Sequence, residues 1–163
     1  CGGRLSPHPT HARAWAELTA GYGQDPAAIL KVFEDGADGV DEMVTVGPIP
    51  FYSLCEHHML PFHGNAWIGY VPMGRIVGLS KMARLVEVFA RRLQVQERLT
   101  VQIAEAFLTH VRPRGVGVHV QARHLCMEMR GVERAGAQTT TTALRGALFD
   151  EPAARAEFLA ACR

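Results

Sequence analysis

The sequence predicts an α+β fold built on an antiparallel sheet, and three observations carry that expectation. Apolar residues recur at helical spacing in two consecutive stretches: Met82, Leu85, Val86 and Phe89 over 81–92, then Leu99, Ile103, Ala106 and Phe107 over about 95–110. Strict alternation replaces that period over 116–130, where Val116, Val118, Val120, Ala122, His124 and Cys126 share one face, because side chains repeat every second residue in a strand. The segments follow one another as helices, a strand pair, two helices, a strand pair and a closing helix, which is the order of a sheet with segregated helices.

Each element has a local reason. Residues 9–20 (PTHARAWAELTA) form a first helix with Trp15 and Leu18 on one face and Gly21-Tyr22-Gly23 as its stop. Asp25-Pro26 caps a short second helix through Val32, and Glu34–Asp41, rich in Gly and Asp, is a loop. Residues 42–54 (EMVTVGPIPFYSL) make a strand interrupted at Pro48 and Pro50, which implies a bulge or an edge. CEHHMLP turns the chain into a partner strand, Gly64–Pro72, and Met73-Gly74-Arg75 turns it again into Ile76–Leu79. Ser80 is the expected N-cap of the helix over 81–92. Four consecutive threonines favour a last strand over 136–146, and a helix from Pro152 closes the chain. No compositional shift marks a second domain. Residues 1–34 are read as an N-terminal helical segment, truncated or processed because it opens on Cys1 rather than Met, and 35–163 as the main domain.

Composition removes several function classes. At 163 residues with 48% apolar and 20% charged side chains, the chain is long enough for one well-packed core. Seventeen basic against sixteen acidic residues leave a net charge of +1, so no global field would hold nucleic acid or an anionic membrane. No apolar run approaches the roughly 20 residues of a membrane helix, and the N-terminal stretch lacks the pattern of a signal peptide. A cytoplasmic location is the expectation.

The four cysteines point to chemistry. Cys1 and Cys162 lie at the chain ends, whereas Cys55 and Cys126 sit inside His-rich motifs, CEHH at 55–58 and HLC at 124–126. Without a secretory signal that pattern suggests metal or catalysis before disulfides. Cys55-x-x-His58 has chelate spacing, and Cys126 offers a third soft ligand, so the set suits zinc. Three readings stay open on the residues alone. A catalytic zinc would keep an open position for water; a structural zinc would recruit His57 or His124 as a fourth ligand; or the motifs hold no metal. A bound metal requires Cys55 and Cys126 to sit close together.

A second signal is cationic. Lys81 follows Ser80 at a predicted helix start, where free N–H groups favour an anion; Arg84 lies one turn on, and Arg130 follows the HLC motif. Taken alone, Lys81 reads as part of a solvated helix face. Gln96 and Glu97 lie at the junction of two helices, where a carboxylate can accept two hydrogen bonds from a guanine edge.

Taken together, SLCEHHMLPFHG (53–64), GYVP (69–72), IVGLSKMAR (76–84), RRLQVQERLTVQIA (91–104), ARHLCMEMRGV (122–132) and TTTTALRG (139–146) resemble the zinc-dependent GTP cyclohydrolase I family, in the family's order and over roughly residues 40–163. The resemblance implies a tunnelling fold, an antiparallel sheet with helices on one face, whose subunits close into a toroidal homodecamer with active sites between them. It implies one Zn2+ per subunit on Cys55, His58 and Cys126, and attack of zinc-bound hydroxide on C8 of GTP. Ring opening, release of formate and reclosure then give 7,8-dihydroneopterin triphosphate for tetrahydrofolate and pterin synthesis. His57 and His124 would be acid/base groups and Ser80 a proton relay in the sugar rearrangement. Glu97, Gln96 and the backbone near Leu79 would read guanine, and Lys81, Arg84 and Arg130 would hold the triphosphate. The alternatives are a paralogue that stops at a ring-opened pyrimidine and a non-catalytic, zinc-stabilised assembly. Two positions depart from the family pattern: Thr10 stands where an Arg reaching phosphate would align, and Trp67 where many members have His or Thr.

Overall fold

The computed structural model describes residues 9–34, 37 and 39–163; Cys1 and the Ser6-Pro7-His8 stretch lie outside the described residues. Helix α1 (Pro9–Leu18) and a 3-10 turn (Ala20–Gly23) lead to the short α2 (Pro26–Ile29), whose N-cap Asp25 accepts a hydrogen bond from the Ala27 N–H at 2.9 Å. The helix expected through Val32 ends three residues earlier. Val32–Phe33 is instead strand β1, paired antiparallel with β4 (Ile76–Val77) in a small separate sheet. The Gly21-Tyr22-Gly23 stop is also a docking point. Gly21 lies so close to α3 (Leu79–Ala90) that a Cβ on it would fall 2.1 Å from the Val88 carbonyl oxygen, and its N–H donates to Arg91 O at 3.0 Å.

The main sheet has five strands in the order β5-β2-β3-β6-β7, comprising β2 (Val44–Cys55), β3 (Pro61–Val71), β5 (Leu93–Gln94), β6 (Gly115–His124) and β7 (Gln138–Gly146). All pairings are antiparallel except β5 on β2, where Leu93 and Gln94 run parallel beside Leu54 and Cys55. The expected interruption in β2 is a register shift between Val46 and Ile49, around a cis Gly47–Pro48 peptide. It also accounts for Trp67. The indole lies on Gly47, where a Cβ would come 2.1 Å from its Cδ1, so the glycine in that segment makes room for the ring.

Helices α3 and α4 (Gln96–Val111) bury their apolar stripes on one sheet face, with Met82, Leu85, Val86, Leu99, Ile103 and Phe107 against Phe62, Ile68, Val116, Val118 and Val120. Not all helices share that face. Leu148 on α6 (Ala147–Asp150) and Phe158 on α7 (Pro152–Ala161) pack with Trp67 and Val71 on the other. Gly69 and Gly117, directly opposed on β3 and β6, form the cradle for the Phe158 ring. The expectation of helices on one face is therefore corrected by the C-terminal pair.

His119 sits on this second face, with Nδ1 2.9 Å from Thr142 Oγ1 and its ring against Trp67. Burial pulls its proton affinity below the ordinary 6.5. The unfolded chain then binds a proton first as pH falls through about 6.5, and the fold loses stability in that window until the folded form is also protonated. Replacing His119 with Gln is expected to flatten the acid side of a plot of melting temperature against pH between about 7.5 and 5.5. An unchanged slope would show that His119 does not contribute.

Candidate functional site

The site forms where the β2–β3 hairpin, the end of β6 and the start of α4 converge. β2 ends at Cys55, and the chain turns at once: Met59 N–H donates to Cys55 O at 2.8 Å, Cys55 N–H to Leu60 O at 2.9 Å, and Met59 takes the left-handed φ of 53° that closes the turn. This one turn presents Cys55 and His58 together, with Cys55 Sγ 3.5 Å from His58 Nδ1. The third ligand arrives differently from the expectation. β6 stops at His124, and Cys126 lies on α5 (Leu125–Glu128), a single helical turn, rather than on a continuing strand. The ligand atoms of Cys55, His58 and Cys126 nevertheless lie within 4.8 Å of one another.

That set fits a metal. Two buried thiols and an imidazole, with no disulfide between the cysteines, are a soft N/S donor group suited to zinc. Burial, then the neighbouring Cys55 sulfur, pushes the Cys126 thiol up, so without a cation it keeps its proton and metal binding must release it.

A cavity of about 270 Å³ opens beside the three ligands, lined also by His57, Gln96, Glu97, His124 and Thr139. Phe62 and His124 are directly opposed on β3 and β6, so they share the face covered by the first turn of α4, and their rings stack 4.7 Å apart and 1° from parallel. His124 Nε2 lies 2.7 Å from Gln96 Oε1. Burial lowers the proton affinity of His124 while Glu97 opposes the shift, so the ring is neutral at pH 7. His57 is exposed on the turn, 4.0 Å from Glu56 Oε1. Glu56 is held in turn by an ion pair with Arg98, and its N–H donates to Gln94 O at 3.0 Å.

The other cationic candidates are divided. Arg130 Nη1 lies 3.5 Å from His58 Nε2, at the rim of the site. Leu79, Ser80 and Lys81 occupy the opposite end of α3, whose twelve residues span about 18 Å, and Arg84 lies midway along it. The C-terminal end of that helix leads into β5 beside Cys55, so within one chain these four residues do not line the cavity. Ser80 is not the N-cap: Gly78 holds that position, with its carbonyl accepting from Lys81 N–H at 2.8 Å, and Ser80 is exposed in the first turn.

Comparison with known proteins decides the family. The family model for GTP cyclohydrolase I matches residues 6–163. GTP cyclohydrolase 1 of Nitrosospira multiformis is 59% identical over 148 residues, covering 91% of this chain and 78% of that protein. The Janthinobacterium sp. GTP cyclohydrolase 1 is 56% identical over 151 residues, covering 93% and 76%, and that of Deinococcus radiodurans is 51% identical over 150 residues, covering 92% and 69%. The chain belongs to the GTP cyclohydrolase I family. Among solved structures, the apo archaeosine synthase QueF-Like aligns with TM-score 0.49 and 19% identity over 64% of this chain and 92% of that one.

Sequence reasoning missed several residues that shape this GTP cyclohydrolase I site. Phe62, Thr100 and Thr141 support the catalytic candidates, and Arg98 braces the metal-binding turn through Glu56, Leu93 O and Gln94. Strand alternation does carry a signal for the threonines: Thr139 and Thr141 are half-buried toward α4, whereas Thr140 and Thr142 are exposed.

Proposed function

We infer that this enzyme, a GTP cyclohydrolase I, seats the guanine of GTP in the cavity beside Cys55, His58 and Cys126, lets water attack C8, expels formate and recloses the ring as 7,8-dihydroneopterin triphosphate. The observation that supports it most is the convergence of a soft metal-ligand triad, two further histidines and an exposed carboxylate on one cavity. Cys55, His58 and Cys126 would hold one zinc per subunit; when bound, the ion supplies Lewis-acid activation of water near neutral pH. Neutral His124 accepts and returns protons during ring opening, and exposed His57 serves the same chemistry from the other side of the turn. Glu97 pairs with the guanine edge, with Gln96 directly behind it.

The triphosphate needs cations that the cavity lacks within one chain. Arg130 is at its rim, whereas Leu79, Ser80 and Lys81 are a helix length away and Arg84 about half of one, so a second copy would bring its own set to complete the site. Strand β7, an edge strand of nine residues, offers the backbone for such pairing. These features support a homo-oligomer, read as the toroidal decamer of tunnelling-fold subunits with sites between them, in the cytoplasm. Among the described residues no helix is long and apolar enough to cross a membrane.

Mass-spectrometric product analysis of zinc-loaded protein incubated with GTP tests the reading. Equal formate and dihydroneopterin triphosphate are expected. Formate with an uncyclised pyrimidine would mean that the reaction stops early, and unchanged GTP would sink the catalytic reading in favour of a metal-stabilised assembly.

A further inference from the structure

The side-chain amide of Gln96 is wholly occupied inside the protein. Its residue is 1% exposed, and its Nε2 faces three acceptors: Thr139 O at 2.9 Å, Val120 O at 3.1 Å and Thr141 Oγ1 at 3.1 Å. Two of these are main-chain carbonyls, which can only accept. Rotating the amide would set Oε1 against both of them, so the NH₂ group is fixed on that side and Oε1 is fixed toward His124. Oε1 can only accept, and therefore His124 Nε2, 2.7 Å away, must carry a proton.

The hydroxyls beyond Gln96 continue in a single direction. Thr141 Oγ1 lies 2.6 Å from Thr100 Oγ1, and Thr100 Oγ1 donates to the Gln96 carbonyl at 2.8 Å. With the Thr100 proton committed to that main-chain carbonyl, Thr141 donates to Thr100, and Thr141 Oγ1 faces the Gln96 amide as an acceptor that shares one of its two N–H groups with a carbonyl. The chain from His124 through Gln96 and Thr141 to Thr100 is thus satisfied in one sense only. At the other end, Phe62 stacked 1° from parallel fixes the plane of the imidazole. His124 Nδ1 makes no hydrogen bond to a described residue and is not among the buried unpaired atoms, and His124 lines the cavity, so Nδ1 is the ring nitrogen left uncommitted by the protein.

We propose that Gln96 is a positioning residue, held by Thr141 and Thr100, that fixes His124 in the Nε2–H tautomer and makes Nδ1 the ring atom that exchanges protons with the substrate. The inference rests on the functional reading above and deepens it: the Gln96 amide acts through His124, and guanine recognition falls to Glu97.

The tautomer is read directly from imidazole nitrogen resonances in zinc-loaded, substrate-free enzyme labelled with ¹⁵N-histidine, with the His124 signals assigned by their loss in His124→Gln. The expected spectrum has Nε2 at a protonated position and Nδ1 at an unprotonated one. The reverse pattern overturns the proposal. Kinetics supply the second readout. Gln96→Met should lower kcat by about 100-fold while KM stays within about twofold, because an orienting contact is lost and a substrate contact is not. A raised KM with unchanged kcat would return the amide to guanine binding and overturn the proposal. Thr141→Val, which keeps both carbonyl partners of Gln96, provides a milder variant should Gln96→Met fail to fold; it should lower kcat with KM unchanged, and a raised KM would again count against the idea. Because the tautomer is measured without GTP, inactivity of the wild-type enzyme toward GTP, which defeats the functional reading, is a separate result from a reversed tautomer, which defeats this one.

Discussion

Replacing Cys126 with alanine is expected to empty the metal site and stop turnover together. Cys55 and His58 come from one turn and can chelate, but two ligands leave a cation half solvated and in exchange with bulk water. Cys126 would supply the second thiolate from another element, α5, and so tie the hairpin turn to the end of β6 through the metal. Structural zinc sites in zinc-finger peptides bind with apparent free energies of about 10–16 kcal/mol near pH 7, and on that scale losing one of three protein ligands should cost orders of magnitude in affinity. Metal content after dialysis should fall to near zero and GTP turnover by at least about 10³-fold. The fold should survive, because the mutation deletes one sulfur at the edge of the core, a loss of about 1 kcal/mol. A melting curve for wild type and variant, both freed of metal, checks that point. Full metal occupancy in the variant would contradict the assignment and promote His57 or His124 to ligand, which is the closed, structural site.

The Cys55-His58-Cys126 cluster was legible in the sequence because two of its members are local. Cys-x-x-His fits within a single turn, and no tertiary information is needed to bring Cys55 and His58 together. Cys126 was found by its motif and placed on the wrong element. Its position continues the alternation of β6, but the strand ends once His124 has paired with Phe62, and the next four residues coil into α5. The major helices and strands follow from periodicity. The two-residue strands β1, β4 and β5 are too short to show any period and exist only through their partners. Helices on both faces were equally hidden, because the space for Phe158 comes from Gly69 meeting Gly117 across two strands 48 residues apart in sequence. The amide of Gln96 reads as a surface group at a helix start until Val120 O and Thr139 O, on two remote strands, are seen to claim it. The division of the cationic residues is the deepest gap. IVGLSKMAR is recognisable as a motif, yet nothing in it says that Ser80 and Lys81 stand a helix length, and Arg84 half of one, from the C-terminal end of α3 that leads to Cys55.

His124→Ala should separate what Cys126→Ala removes together. The imidazole is no member of the Cys55-His58-Cys126 group, so the variant should retain metal at the wild-type stoichiometry. Its loss takes away a neutral base held by Phe62 and Gln96 at the cavity wall, and positioned proton transfer contributes about 10²–10⁴-fold to rate. The expected fall in kcat is of that order, with KM little changed, since Glu97 and the cationic residues proposed to bind GTP are untouched. Truncation also leaves Gln96 Oε1 without its partner, at a cost of about 1–3 kcal/mol. Metal analysis and a melting curve on the same preparation therefore belong beside the kinetics. Metal loss in a folded His124→Ala variant would make His124 a ligand and close the position that water needs; unchanged kcat with full metal would pass the proton chemistry to His57. The second result would move the proton chemistry from the end of β6 to the exposed side of the hairpin turn, whereas the first would leave a closed, structural metal site.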